Sequence, residues 1–165
     1  KKDGKWFVKI GGKADLDSLH KLLLKDDALN VLLDADIDFS EEDVSGLLNG
    51  GANSFYGIFD GNGHSITNVK SKYYPYILTG NYGTIKNVRI QNATVPSRNY
   101  SADFRSGILC SNNYGTIENC AVENAVIKTK KKTEYDDEMT IKLRVHSALA
   151  GGNYGTIKDE YNYQH

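Results

Sequence analysis

The pentapeptide Asn-Tyr-Gly-Thr-Ile occurs three times, at residues 81–85, 113–117 and 153–157, with spacings of 113 − 81 = 32 and 153 − 113 = 40 residues. Spacings of this size mark chains built from stacked supersecondary units. The match runs on past the pentapeptide. Ile85, Asn87, Val88, Ile90, Asn92, Ala93 and Val95 fall opposite Ile117, Asn119, Cys120, Val122, Asn124, Ala125 and Ile127. Apolar residues meet apolar residues and asparagines meet asparagines. Copies that stack in this register bury each other's isoleucines and line up the corner asparagines as side-chain amide ladders. Tyr82, Tyr114 and Tyr154, beside the corner glycines, then form a column. Neighbour packing accounts for such a column before any ligand does, so a self-stacking aromatic ladder is favoured over a sugar-binding platform.

Composition agrees with many short strands. Among 165 residues there are 16 Gly and 11 Tyr but only 2 Pro, and Gly with Asn supplies the positive φ that tight corners need. A net charge of −1 and a pI near 6.5 leave no electrostatic footprint for nucleic acid. No apolar run is long enough to cross a bilayer, so no membrane insertion is expected within the segment. The chain begins Lys1-Lys2 rather than with Met, which reads as a processing boundary. Cys120 takes the place of Val88 and Cys110 that of Leu78 (110 − 78 = 32), so both read as small buried apolar groups, with no His or Cys at a ligand spacing.

Along the chain, Trp6, Val8 and Ile10 alternate with Phe7 and Lys9 as a first short strand. A helix follows, with Asp15 as its N-cap and Leu16, Leu19, Leu22 and Leu23 on one face. Leu33, Ala35, Ile37 and Phe39 interleave with Asp34, Asp36 and Asp38, a period of two that predicts one strand with its carboxylates outward. Residues 40–53 read as a polar, Gly-rich excursion. Phe59-Asp60-Gly61-Asn62-Gly63 is a tight turn, and Ile66-Thr67-Asn68-Val69 aligns with Ile85-Lys86-Asn87-Val88 at an offset of 19 (85 − 66) as an abbreviated earlier turn. Each full copy then begins with an apolar strand at residues 76–78, 108–110 or 148–150. The additional 40 − 32 = 8 residues of the last spacing fall in 129–139, a self-neutralising loop of lysines and acids. Beyond Ile157 the pattern fails, with Glu160 at an inward position, so residues 158–165 read as a polar exit. The organisation is thus 1–54 as first strand, capping helix and lead-in strand, 55–157 as repeats, and 158–165 as exit.

Phe59 to Val69, preceded by a helix and the Asp36-Ile37-Asp38 strand, resembles bacterial surface proteins that carry the GLUG motif. Gly107-Ile108-Leu109 leading to Asn113-Tyr114-Gly115-Thr116-Ile117 is similar to the GLUG unit itself. The likeness covers about Trp6 to Ile157, with Pro75 and Ser147 standing where the unit has Gly107. It implies an all-β fold, a right-handed parallel β-helix of pectin-lyase-like architecture with about four coils, in a secreted or cell-surface protein associated with adhesins and immunoglobulin A peptidases. It carries no catalytic set to transfer.

Candidate chemistry is sparse. Asp34-x-Asp36-x-Asp38 has the opening spacing of a calcium loop, but Phe39 and Ser45 stand where an EF-hand needs Gly and Glu. Asp60-x-Asn62 is accounted for by turn geometry. His20, His64, His146 and His165 show no zinc spacing, and no nucleophile elbow, phosphate loop or dinucleotide fingerprint is present. Catalytic, cofactor-binding and metal-binding residues are therefore each predicted as none. The expected role is a non-catalytic extracellular scaffold or adhesion module, with a host protein or glycan as partner and contacts in residues 73–76, 98–105 and 129–139. The alternative is a fragment of a carbohydrate-active enzyme, a polysaccharide lyase or glycoside hydrolase, using Asp103 and Arg105 with Arg89 or Arg144; it rests on architecture by analogy. Ice binding is disfavoured because outward Thr-x-Thr arrays are missing.

Overall fold

Asparagine in the left-handed backbone region sets the corners of this chain. Asn68, Asn87, Asn92, Asn119 and Asn124 all have φ between 50° and 57°, a conformation that costs Asn less than other residues with a side chain. Each one breaks the two-residue alternation of a strand, so that Ile90, Ala93 and Val95 all point inward around Asn92, and Val122, Ala125 and Ile127 do so around Asn124. The computed structural model describes residues 1–44, 46–48, 54–72, 76–96, 108–128, 140–143 and 149–158. Over these residues the protein is all-β, with mostly parallel strands and one short helix.

Three sheets hold the strands. The first runs β1 (Val8–Ile10), β2 (Val31–Leu33), β4 (Ile58–Asp60), β7 (Thr84–Lys86), β10 (Thr116–Glu118) and β14 (Thr156–Lys158), all parallel. The second runs β3 (Ile37–Asp38), β5 (Ser65–Lys70), β8 (Arg89–Pro96) and β11 (Ala121–Lys128) in parallel, then β12 (Thr140–Leu143) antiparallel. The third is β6 (Thr79–Asn81), β9 (Cys110–Asn113) and β13 (Ala150–Asn153). From β6 onward the first two repeats each give a strand to each sheet and the third gives β13 and β14 to the third and first, so sheet neighbours come from successive repeats. Ile117 pairs with Ile85 and Ile157, and Ala125 with Ala93, as the sequence alignment requires.

One core serves all three sheets. Ile10, Phe39, Phe59, Ile66, Ile85, Ile90, Leu109 and Ile117 belong to a single buried cluster, with Leu19 and Leu23 of α1 (Leu16–Leu23) joining it. The helix contacts β1, the edge strand of the first sheet. A run of glycines lets the layers close: a Cβ on Gly83, Gly115 or Gly155 would collide with the carbonyl of the glycine in the layer before, and one on Gly57 with the Leu29 carbonyl.

Several expectations are corrected. Residues 33–39 form two strands rather than one: the inward–outward alternation holds, but Asp34–Asp36 turns the chain from the first sheet into the second. Asp15 occupies the N-cap position of α1 without capping it; a 3-10 turn (Lys13–Asp15) precedes the helix, and the Asp15 carboxylate accepts from the Gly11 N–H at 2.7 Å. Leu47 and Leu48, placed in a polar excursion, are buried and donate backbone N–H bonds to Ile77 and Leu78. Ile66 pairs with Ile90 rather than Ile85, whose true neighbour is Phe59. The third-sheet strands lie nearer the Asn corner than residues 76–78 and 108–110. Cys110 pairs with Thr79, not Leu78, because a register shift intervenes before Asn113 meets Asn81. Among the described strands the all-parallel pattern fails at β12, which reverses direction against β11 on the far side of 129–139; those residues lie outside the described ones, as do 159–165.

Gly115→Ala should therefore lose roughly 3 kcal/mol or more of stability in urea unfolding, since backbone rather than a flexible side chain must move. Gly12→Ala, where nothing lies within 4 Å of the new carbon, should change stability by less than about 0.5 kcal/mol.

Candidate functional surface

The corner glycines place an aromatic column on the surface. Tyr56, Tyr82, Tyr114 and Tyr154 stack with ring centroids 4.9, 4.7 and 4.9 Å apart and interplanar angles of 21°, 16° and 11°. Three of the four were legible from the pentapeptide. Tyr56 was missed because Phe55 stands in place of Asn81 and Phe59 in place of Ile85; the surviving signal is Tyr-Gly-x-apolar at residues 56–59. The rings lie face to face, so the inner ones can offer a ligand only their edges and hydroxyls. The inner Tyr82 and Tyr114 are 44% and 46% exposed, against 49% and 70% for Tyr56 and Tyr154 at the two ends of the column.

Behind the rings runs a ladder of amides. Asn81 Nδ2 donates to Asn113 Oδ1 at 2.8 Å, and Asn113 Nδ2 to Asn153 Oδ1 at 2.9 Å. Each of these oxygens also accepts the N–H of the glycine two residues on in its own layer. Asn81 and Asn113 are fully buried, and these bonds satisfy groups that would otherwise cost about 1–3 kcal/mol each. Two further ladders run the other way and end on carboxylates. Asn119 donates to Asn87 and Asn87 to Asp60, at 2.9 and 3.1 Å; Asn92 donates to Asn68 and Asn68 to Asp38, at 3.1 and 3.0 Å. A carboxylate suits that position because it accepts without needing to pass a proton on.

Asp60 is the buried charge of the molecule's described part. Its Oδ2 accepts from Lys2 Nζ at 2.7 Å, and its Oδ1 from the Asn62 N–H at 2.8 Å. Desolvation pushes its pKa up, but the Lys2 ammonium and the Asn62 and Asn87 donors outweigh it, leaving the carboxyl below its ordinary value. Asp36, on the outer surface, is also lowered, chiefly by the Ser65 N–H, against slight desolvation and with help from His64, whose Nδ1 lies 3.1 Å away. On the second sheet, Arg89 and Gln91 both bond to Glu123 on the adjacent strand. His20 Nε2 meets the Leu47 carbonyl at 3.0 Å.

Cys110 and Cys120 are free buried thiols, as their repeat positions suggest, and desolvation pushes both up to about 12. Such thiols carry almost no thiolate at neutral pH. Among the described residues no cluster of three or more His, Cys, Asp or Glu could hold a metal ion, and no helix is long and apolar enough to cross a membrane. Of the expected ligand-contact residues, Tyr76 is corrected: it is 7% exposed, part of the interior rather than a surface aromatic. Tyr73, Tyr74, Tyr100, Asp103, Arg105, Arg144, His146, His165 and the 129–139 loop lie outside the described residues.

Because the folded state holds Asp60 ionised, its contribution is full above the ordinary carboxylate pKa of about 3.9 and is lost as pH falls through the lower folded value. Asp60→Asn should cost roughly 2–3 kcal/mol at pH 7, and the gap between parent and variant stabilities, followed by urea titration, should narrow steadily as pH falls below the ordinary carboxylate value. No family model, curated protein or solved structure matches the chain, which leaves its layer geometry as the ground for a functional reading.

Proposed function

We propose that the protein is a right-handed parallel β-helical module with an N-terminal helix cap, acting as a non-catalytic scaffold or adhesion surface of a bacterial secreted or cell-surface protein. The observation that carries this is the use to which the repeated residues are put. Tyrosine, asparagine and glycine of each copy are engaged with the same residues of the next copy, so what repeats in this chain builds the stack. Rotation of the chain through three sheets, one strand at a time, supports the helical winding.

The ligand class that suits the described surface is an extended glycan or peptide lying along the column. It would meet phenol hydroxyls at the layer spacing, together with Thr84, Thr116 and Thr156, which share one register row on the first sheet. Ring-face stacking on sugars is left to the end rings, chiefly the more exposed Tyr154. The enzymatic alternative gains little: Arg89, one of its candidate bases, is held by Glu123.

Glycan- and protein-array binding by the parent chain and a Tyr82→Phe/Tyr114→Phe variant tests the proposal. The variant keeps the stack and its stability within about 1 kcal/mol but removes two hydroxyls, and binding should weaken roughly tenfold, about 1.4 kcal/mol. Unchanged binding would move the contact surface elsewhere. Depolymerisation of acidic or neutral polysaccharides that Asp103→Ala abolishes without unfolding the chain would contradict the non-catalytic role.

A further inference from the structure

Among the described residues, the layer formed by β13 and β14 leaves its outer edge unpaired. At every earlier step the incoming layer makes the same two backbone bonds: the Tyr82, Tyr114 and Tyr154 N–H groups donate to the Phe55, Asn81 and Asn113 carbonyls at 2.9, 2.8 and 2.7 Å. The Thr84, Thr116 and Thr156 N–H groups donate to the Gly57, Gly83 and Gly115 carbonyls, each at 2.9 Å. On the last layer the Asn153 and Gly155 carbonyls receive no such donor from any described residue. The amide ladder points the same way, since Asn81 and Asn113 donate toward the C-terminal edge, so the Asn153 NH2 is aimed past the final layer. Among the described residues Tyr154 stacks on Tyr114 alone and is 70% exposed, and Ile157 is only half-buried where Ile85 and Ile117 are fully buried.

These features define what fits. An added strand must offer N–H groups at the tyrosine and threonine positions, which excludes proline there. It must carry glycine between them, because each preceding glycine of the column has backbone where a Cβ would lie. It must place an amide oxygen over the Asn153 NH2, an aromatic ring over Tyr154 and an aliphatic side chain over Ile157. We propose that the edge formed by β13 and β14 is a strand-docking site for an Asn-aromatic-Gly-Thr-Ile segment of another polypeptide, added in parallel and in register. The partner is thus a chain bearing the same repeat, joined by strand addition that continues the existing layer-to-layer interface. The inference rests on strand register and stands apart from the choice between scaffold and adhesin.

The test uses the full chain and a fluorescently labelled peptide with the sequence of residues 111–118, titrated by anisotropy. Saturable one-to-one binding is expected, weakened at least roughly tenfold by Gly115→Ala in the peptide. Tyr154→Ala in the protein should weaken it similarly, and Tyr56→Ala, at the opposite end of the column, should leave it unchanged. Absence of binding, or equal binding of both peptides, would overturn the proposal. Binding seen only after truncation beyond Lys158 would assign the edge to residues 159–165 and would overturn it as well.

Discussion

The approach of one layer's glycine to the carbonyl of the layer before is the constraint on which the rest depends. Gly83 over Gly57, Gly115 over Gly83 and Gly155 over Gly115 leave no room for a Cβ. A slip of one residue would put tyrosine or threonine there, so the glycines fix register more sharply than the isoleucines, which any aliphatic residue could replace at modest cost. Once register is fixed, each tyrosine meets the tyrosine of the next layer and each corner asparagine the next asparagine. Aromatic column and amide ladder are then consequences of glycine placement, and each adds its own increment: about 0.5–1.5 kcal/mol for an aromatic pair and about 1 kcal/mol for a satisfied buried hydrogen bond.

Polar ladders carry a second consequence. A buried amide column needs a beginning and an end, because its first or last member has a group left over. Two ladders solve this with Asp60 and Asp38, which accept and need give nothing back, and Asp60 further recruits Lys2 across 58 residues of sequence. The third ladder begins beneath Phe55, which replaces the asparagine with a fully buried apolar ring, and among the described residues it ends at Asn153 with its donor unspent. Among the described residues, the difference between the two ends of these ladders thus arises from individual side chains.

How far the sequence disclosed this depends on whether a residue's role was repeated. Ile85, Ile117 and Ile157, the Tyr82 column, the Asn87 to Asn119 match and the interior Cys120 were all legible, because three copies of one peptide can satisfy their neighbours in only one register. The features that escaped lack a repeat or have two equally good alignments. Ile66-Thr67-Asn68-Val69 resembles both Asn corners of the next copy, and the pairing of Ile66 with Ile90 and the bond from Asn92 to Asn68 choose between them. Leu47-Leu48 is too short an apolar signal to stand out in a polar stretch, yet neighbouring backbone makes it a buried edge. The Asp34–Asp36 corner keeps the alternation of a straight strand while the backbone turns. Asp15 has a capping residue's chemistry, but the Gly11 N–H is nearer to its carboxylate than any helical donor. Of the surface, the column was legible, whereas the closed faces of its inner rings required coordinates.

In-register stacking of successive repeats can be tested directly by paired cysteines on the first sheet. Thr84 and Thr116 are strand partners, so Thr84→Cys with Thr116→Cys places two Cα atoms about 5 Å apart, within disulfide reach. Mild oxidation should cross-link this pair nearly completely within one chain, while Thr84→Cys with Glu118→Cys, two residues out of register, should stay reduced. Equal cross-linking of both pairs, or of neither, would contradict the layered register from which every other feature follows.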